Sequence, residues 1–330
     1  MSSYLERRRA RVAAAWGLTD GIVLVGAGEP ISIPGGQDQT YPFLSHSAYI
    51  FLADRECVGG VVAFDPREGW TDFVPDVTED ERVWEGRQDV EGTPLSKLEG
   101  WLAARRGLRL AMLGVPLAGV ASDAALTAEV AEKLLQAQRP KDEVELERMR
   151  RAAAATAAGF ATLRELIRPG VTERALQIEL ELAFLRHGGD RTAFGTIIAA
   201  GSDSGVLHFA PGDRAVRDGD SVLVDAGAEI GRYASDVSRT YQAGTPGGFF
   251  RDLYQVVLAA QVRGIERCRP GVEWREVHLA VARDLAEGLV GLGILRGAPD
   301  SLVEQDAHAL FFPHGLGHLV GLGVRDASGY

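Results

Sequence analysis

The chain has 330 residues, 46% apolar and 25% charged, with 46 acidic against 35 basic side chains and a formal net charge of −11. This is ordinary globular composition, which excludes disordered and fibrous classes and leaves room for two domains, while the acidic balance argues against nucleic acid as a principal partner. No apolar run spans a bilayer, Met1-Ser-Ser-Tyr4 lacks a signal-peptide core, and Cys57 and Cys268 lie far apart without metal-type spacing, so a cytoplasmic setting with two buried thiols is expected and one disulfide stays open.

The first predicted element is a helix in which Arg7, Arg8, Arg9 and Arg11 alternate with Leu5, Ala10, Val12 and Ala13, and its basic side reads as a solvated face. Residues 21–25, 59–64 and 108–113 read as buried strands. Residues 96–106 and 123–138 read as helices, the second capped by Ser122. The alternation predicts an α/β domain over residues 1–138. Gly26-Ala-Gly28-Glu-Pro30 lacks the third glycine of a dinucleotide loop and has proline where the helix should open, so nucleotide binding is not assigned.

Pro140, followed by Asp142-Glu143, marks the boundary to a second domain, residues 139–330. An Ala-rich helix then runs to Arg168, Pro169-Gly170 breaks it, and Thr172 caps another helix that stops at Gly188-Gly189. The design recurs: Arg168-Pro-Gly-Val171 returns as Arg269-Pro-Gly-Val272, with Arg174 matched by Arg275 and Leu180 by Val281, again between two helices. The second domain therefore reads as two related units of paired helices plus sheet. By this symmetry the hairpin of the second unit is missing.

That hairpin, in the first unit, is the chemical centre of the sequence. Residues 221–229 and 232–241 alternate as strands about Ile230-Gly231, a turn centre that sets Asp225 directly opposite Asp236. Opposed carboxylates repel, so they invite a hard divalent cation or a retained proton. Pro313-His314-Gly-Leu-Gly-His318 adds two histidines in a glycine-rich loop, read as either a ligand loop or a tight turn with packed rings. No Glu follows His314, so this is not the helical His-Glu-x-x-His zinc motif. With the aspartates, the loop reads as a metal site.

The combination of Val224-Asp-Ala-Gly227, Ala234-Ser-Asp-Val-Ser-Arg-Thr240, Val206-Leu-His-Phe209 and His314-Gly-Leu-Gly-His-Leu-Val-Gly321 resembles the pita-bread metallopeptidases, which include Xaa-Pro dipeptidases (prolidases), aminopeptidase P and methionine aminopeptidase. The resemblance covers essentially the whole chain, since residues 41–86 resemble the creatinase-type N-terminal domain of prolidases and aminopeptidase P. It implies an α/β creatinase-like domain followed by an α+β pita-bread catalytic domain with an internal pseudo-twofold repeat and an incomplete second half. It further implies that Asp225 chelates one metal, Asp236 bridges two, and His318 binds the other. His208 and His314 match histidines that line the substrate site. Two divalent ions are implied, manganese by preference with cobalt or zinc as alternatives, and so is a homodimer.

Two departures shape the reading. Val324-Arg325-Asp326 stands where the family has Val-His-Asp, and Arg325 either grips a substrate carboxylate or pairs with an acid such as Asp326. The family's two later glutamate ligands have no counterpart before Tyr330, so a truncated sequence is expected. The expectation is a prolidase cleaving Xaa-Pro dipeptides. The alternatives are an aminopeptidase P acting on longer peptides and a non-catalytic peptide-binding module. His46, His187, His278 and His308 are read as structural, and Glu229 and Glu304 as residues without ligand spacing.

Overall fold

In the computed structural model, which describes residues 3–245 and 247–327, the chain divides into two units. The first holds the residues up to Arg148 with Gly321–Gly323 and Ala327, the second Met149–Val320 with Val324–Asp326.

The first unit runs through α1 (Ser3–Trp16), β1 (Gly21–Gly26), α2 (Ser47–Ala53), β2 (Val61–Asp65), β3 (Gly69–Val74), α3 (Glu79–Glu85), β4 (Thr93–Pro94), α4 (Leu98–Ala103), β5 (Arg109–Gly114) and α5 (Ala124–Gln138). One sheet orders the strands β4-β3-β2-β1-β5. Strand β1 pairs parallel with β5 and antiparallel with β2, and it is buried along its whole length, as its unbroken Ile-Val-Leu-Val run requires. Leu24, Val61, Ala63, Phe73 and Met112 form a core on it. Asp123, not Ser122, caps α5: its carboxylate accepts from Leu126 N at 2.9 Å, satisfying one of the free amides of the first turn.

The basic side of α1 is solvated at Arg7 but not at Arg8 and Arg9. Arg8 and Arg9 are each only 2% exposed. Arg8 donates to Asp142 at 2.7 Å and to the Phe51 carbonyl, with its guanidinium over the Phe51 ring. Arg9 donates to Asp72 at 2.6 Å and to the Leu52 carbonyl. Charges can be buried here because each is paired and hydrogen-bonded, and the partners are too distant along the chain for helical periodicity to reveal them.

The second unit begins within α6 (Glu143–Leu166) and continues with α7 (Glu173–Arg186), β6 (Arg191–Thr192), β7 (Ile197–Ala200), β8 (Ser221–Ala226), β9 (Ala228–Ile230), β10 (Tyr233–Ala234), β11 (Val237–Gln242), α8 (Gly248–Arg267), α9 (Trp274–Gly291) and α10 (Pro299–Glu304). Two three-stranded antiparallel sheets result, β11-β8-β7 and β10-β9-β6. Helices α6 and α7 lay Leu163, Leu176, Leu180 and Phe184 on Ile198, Val222, Val224 and Ala226. Each such fully buried large side chain contributes roughly 1.5–3 kcal/mol. Thr172 caps α7 by accepting from Ala175 N at 3.1 Å. Arg269-Pro-Gly271 separates α8 from α9 as Arg168-Pro-Gly170 separates α6 from α7.

Both cysteines are free thiols, and Cys268 is exposed rather than buried, lying just past the end of α8. Among the described residues no helix is long and apolar enough to cross a membrane.

Candidate metal centre

The site is positioned by one tight turn. Gly231 and Arg232 have φ of 55° and 73°, positive at both central positions as in a type I′ hairpin turn. The turn pairs Ile230 with Tyr233 and Ala234 with Glu229. Its centre is therefore one residue later than the sequence suggests, because Arg232 adopts a left-handed conformation unusual for a residue with a Cβ. A one-residue shift of the turn moves the register by two.

Asp225 accordingly lies opposite Ser238, not opposite Asp236. Asp236 falls in the break between β10 and β11, facing the break at Gly227 between β8 and β9. The backbones approach so closely there that a Cβ on Gly227 would lie 1.7 Å from Ser235 O. The two carboxylates still meet, diagonally instead of face to face. Burial raises the Asp236 pKa above the ordinary carboxylate value, and the negative charge of Asp225 raises it further, while His318 and Arg325 act in the opposite direction.

Asp225, Asp236, His318, His208 and Arg325 all line one cavity of about 570 Å³. His318 comes within 3.4 Å of Asp236 Oδ2 through Nε2. Its Nδ1 faces the Leu319 carbonyl at 3.0 Å. A carbonyl can only accept, so Nδ1 carries a proton, and Nε2 is the nitrogen turned toward Asp236. Ser238 Oγ donates to Asp225 Oδ1 at 2.8 Å and orients that carboxylate.

Two adjacent carboxylates and an available imidazole nitrogen have the chemistry of a divalent-cation ligand set, and a cation between them would relieve the repulsion that raises Asp236. Among the described residues no group of three or more His, Cys, Asp and Glu side chains closes tightly enough to enclose an ion. The donors fit the group by type, and with a cation present they would supply part of its coordination shell.

His314 is not brought to this cavity. It lines a separate, largely apolar cavity of about 790 Å³ among residues of α8, α9 and the 307–316 segment. Its ring meets Phe312 edge-on at 4.8 Å and its Nδ1 faces Gly315 O at 2.9 Å. His278 stacks on the same Phe312. His187 closes α7, its Nδ1 facing the Ala183 carbonyl, and His46 caps α2 by accepting from Ala48 N. Glu229 is buried and bonded by Arg191 at 2.8 Å, which accounts for its charge without a metal.

Two supporting residues escaped sequence reasoning. Ser238 stands in the Asp-Val-Ser stretch, and only the true register shows that it faces Asp225. Glu173 is fully buried, and its carboxylate accepts from Ala200 N at 2.8 Å and Gly212 N at 3.1 Å. It thereby ties α7, β7 and the loop that carries His208. The only sequence signal was an acid in the first turn of a capped helix, which ordinarily reads as a dipole partner.

Residues 147–330 match the profile of Metallopeptidase family M24. The Xaa-Pro aminopeptidase of Haemophilus influenzae is 39% identical over 189 residues, 56% of this chain and 44% of that protein. The match thus spans less than half of that curated relative's length. Xaa-Pro aminopeptidase 2 of Streptomyces coelicolor is 30% identical over 374 residues, covering 98% of this chain and 75% of its own. The structure of Pseudomonas aeruginosa aminopeptidase PepP superposes with a TM-score of 0.87 at 26% identity, covering 99% of this chain and 81% of the other.

Proposed function

Because the chain belongs to metallopeptidase family M24 and has the pita-bread fold of its aminopeptidase P neighbours, we propose that it releases the N-terminal residue from peptides whose second residue is proline. The observation that carries this reading is the placement of Asp225, Asp236 and His318 on one cavity wall. The names of the relatives, Xaa-Pro aminopeptidases in each case quoted, favour longer peptides over dipeptides alone.

In this reading Asp225, Asp236 and His318 hold divalent cations, two of them by family resemblance, with manganese preferred for the carboxylate-rich donor set. Such cations, when bound, acidify a water and polarise the scissile carbonyl. The chain's own residues do the rest. Ser238 fixes the orientation of Asp225. The Leu319 carbonyl accepts from Nδ1 of His318, which leaves Nε2 as the nitrogen that faces Asp236. His208, on the loop anchored by Glu173, donates to or accepts from the peptide at the cavity wall. His314 has no part in this scheme, since it lines the other cavity.

A second reading, hydrolysis of Xaa-Pro dipeptides, is favoured by one observation: Arg325 lines the same cavity, where its fork suits a carboxylate close to the scissile bond. Incubating the protein with Mn²⁺ and either Ala-Pro or Ala-Pro-Ala, with a chelator control, tests both by mass spectrometry. Release of alanine from the tripeptide at the higher rate supports the aminopeptidase reading, and faster dipeptide cleavage supports the second. No metal-dependent release from either peptide would overturn both and leave peptide binding without catalysis as the function of the cavity.

A further inference from the structure

Arg174, a residue of the internal sequence repeat, also lines the cavity and has no part in the reaction proposed above. Its backbone is held on a rigid platform. The neighbouring Glu173 carboxylate binds the Ala200 and Gly212 amides, and Arg174 N donates to Gly212 O at 2.9 Å.

Its side chain is oriented without being neutralised. The guanidinium donates to Gln177 Oε1, and the Gln177 amide in turn donates to Glu181 Oε1 at 2.8 Å. The contact that aims Arg174 is thus a neutral amide, and most of its five N–H donors stay available. Among the described residues Arg174 forms no ion pair, and neither does Arg325, the other guanidinium on this cavity. The cavity wall therefore carries two carboxylates and an imidazole in one group, with Arg325, whose charge acts on Asp236, and Arg174, which no acid on the wall pairs. A ligand with a carboxylate matches that arrangement, because planar guanidinium forks bind carboxylates with paired hydrogen bonds.

We propose that Arg174, acting with Arg325, forms an anion subsite that selects peptides by a carboxylate, supplied either by the free C-terminus or by an acidic side chain. This rests on the reading of the cavity as a peptide site. Arg174 is a specificity residue in this scheme, touching the substrate away from the scissile bond.

The test is equilibrium binding by titration calorimetry of three peptides, Ala-Pro-Gln, Ala-Pro-Gln amide and Ala-Pro-Glu amide, to the full chain, to Arg174→Gln and to Arg174→Lys. The unmodified protein is expected to bind at least one of the two carboxylate-bearing peptides about five-fold more tightly than the neutral amide. Arg174→Gln should erase that difference and leave the neutral amide unaffected, and Arg174→Lys should restore part of it. An effect confined to Ala-Pro-Gln assigns the subsite to the C-terminus, and one confined to Ala-Pro-Glu amide assigns it to a side chain. Equal affinity of all three peptides, or an unchanged preference in Arg174→Gln, overturns the subsite while leaving the peptide-site reading standing. Failure of all three peptides to bind the unmodified protein overturns both.

Discussion

Ser238 and Asp225 face each other across the β8–β11 ladder, with Ser238 Oγ donating to Asp225 Oδ1 at 2.8 Å. A partner that orients a metal-binding carboxylate contributes to metal affinity without touching the ion, commonly by ten-fold or more. Ser238→Ala is expected to weaken Mn²⁺ binding about ten-fold, and Ser238→Thr, which keeps the hydroxyl, should stay close to the parent protein. Calorimetric titration with the metal alone reads this, and an unchanged affinity in Ser238→Ala would show that the bond is incidental.

The Asp225–Asp236 pair opposes stability with function. Burial and the neighbouring charge raise the Asp236 pKa, so its ionised form is disfavoured in the metal-free fold. The sign follows: the folded state prefers the protonated form, and that preference is lost as pH rises through the raised folded-state pKa. Asp236→Asn should therefore stabilise the metal-free protein at neutral pH by up to about 1 kcal/mol, the scale of a like-charge cross-strand contact, while removing metal binding. Thermal unfolding with and without Mn²⁺ separates the two effects, and a lowered midpoint in the metal-free variant would contradict the repulsion.

Gly227 is required by the backbone. With Ser235 O only 1.7 Å from the place of a Cβ, Gly227→Ala must push β8–β9 and β10–β11 apart. The expected cost is about 3 kcal/mol or more, in the range of strain at a specified backbone position. Chemical unfolding measures it. A loss under about 1 kcal/mol would mean that the break between the strands yields freely.

Away from the site, Asp284 of α9 accepts from Arg263 at 2.9 Å and Arg267 at 2.6 Å. Burial alone would raise its pKa, but the hydrogen bonds from Arg267 and Arg263 outweigh it and hold the carboxyl below its ordinary value. The stabilisation is thus full above the unfolded pKa of about 3.9 and disappears as pH falls through the lower folded value. Asp284→Asn should cost about 1–2 kcal/mol at pH 7, discounted because both arginines are partly in solvent. It should also flatten the acid limb of the stability curve. An unchanged acid limb would refute the assignment.

What the sequence revealed, and what it hid, follows from the range of the interactions. The strands at β1, β2 and β5 were legible because their apolar runs are self-contained, and α6 to α9 because breakers and caps mark them. The grouping of Asp225, Asp236 and His318 on one cavity was legible from residue type and motif. The hairpin register was not, because it depended on Arg232 taking a positive φ that glycine normally takes. Burial of Arg8 and Arg9 depends on Asp142 and Asp72, which only tertiary folding brings near. His314 shares its motif with His318, yet three intervening residues, two of them glycines, send the two rings to different cavities.

The shared acceptor at Glu173 has a consequence for the dynamics of the His208 loop. Ala200 N at the end of β7 and Gly212 N beyond the loop donate to opposite oxygens of one buried carboxylate. Opening the loop at Gly212 leaves a buried anion short of one donor, a cost borne by the strand and helix together. Solvent exchange at Gly212 should therefore track that at Ala200 and at the first turn of α7, so that the wall carrying His208 breathes as one cooperative unit with the helix that carries Arg174.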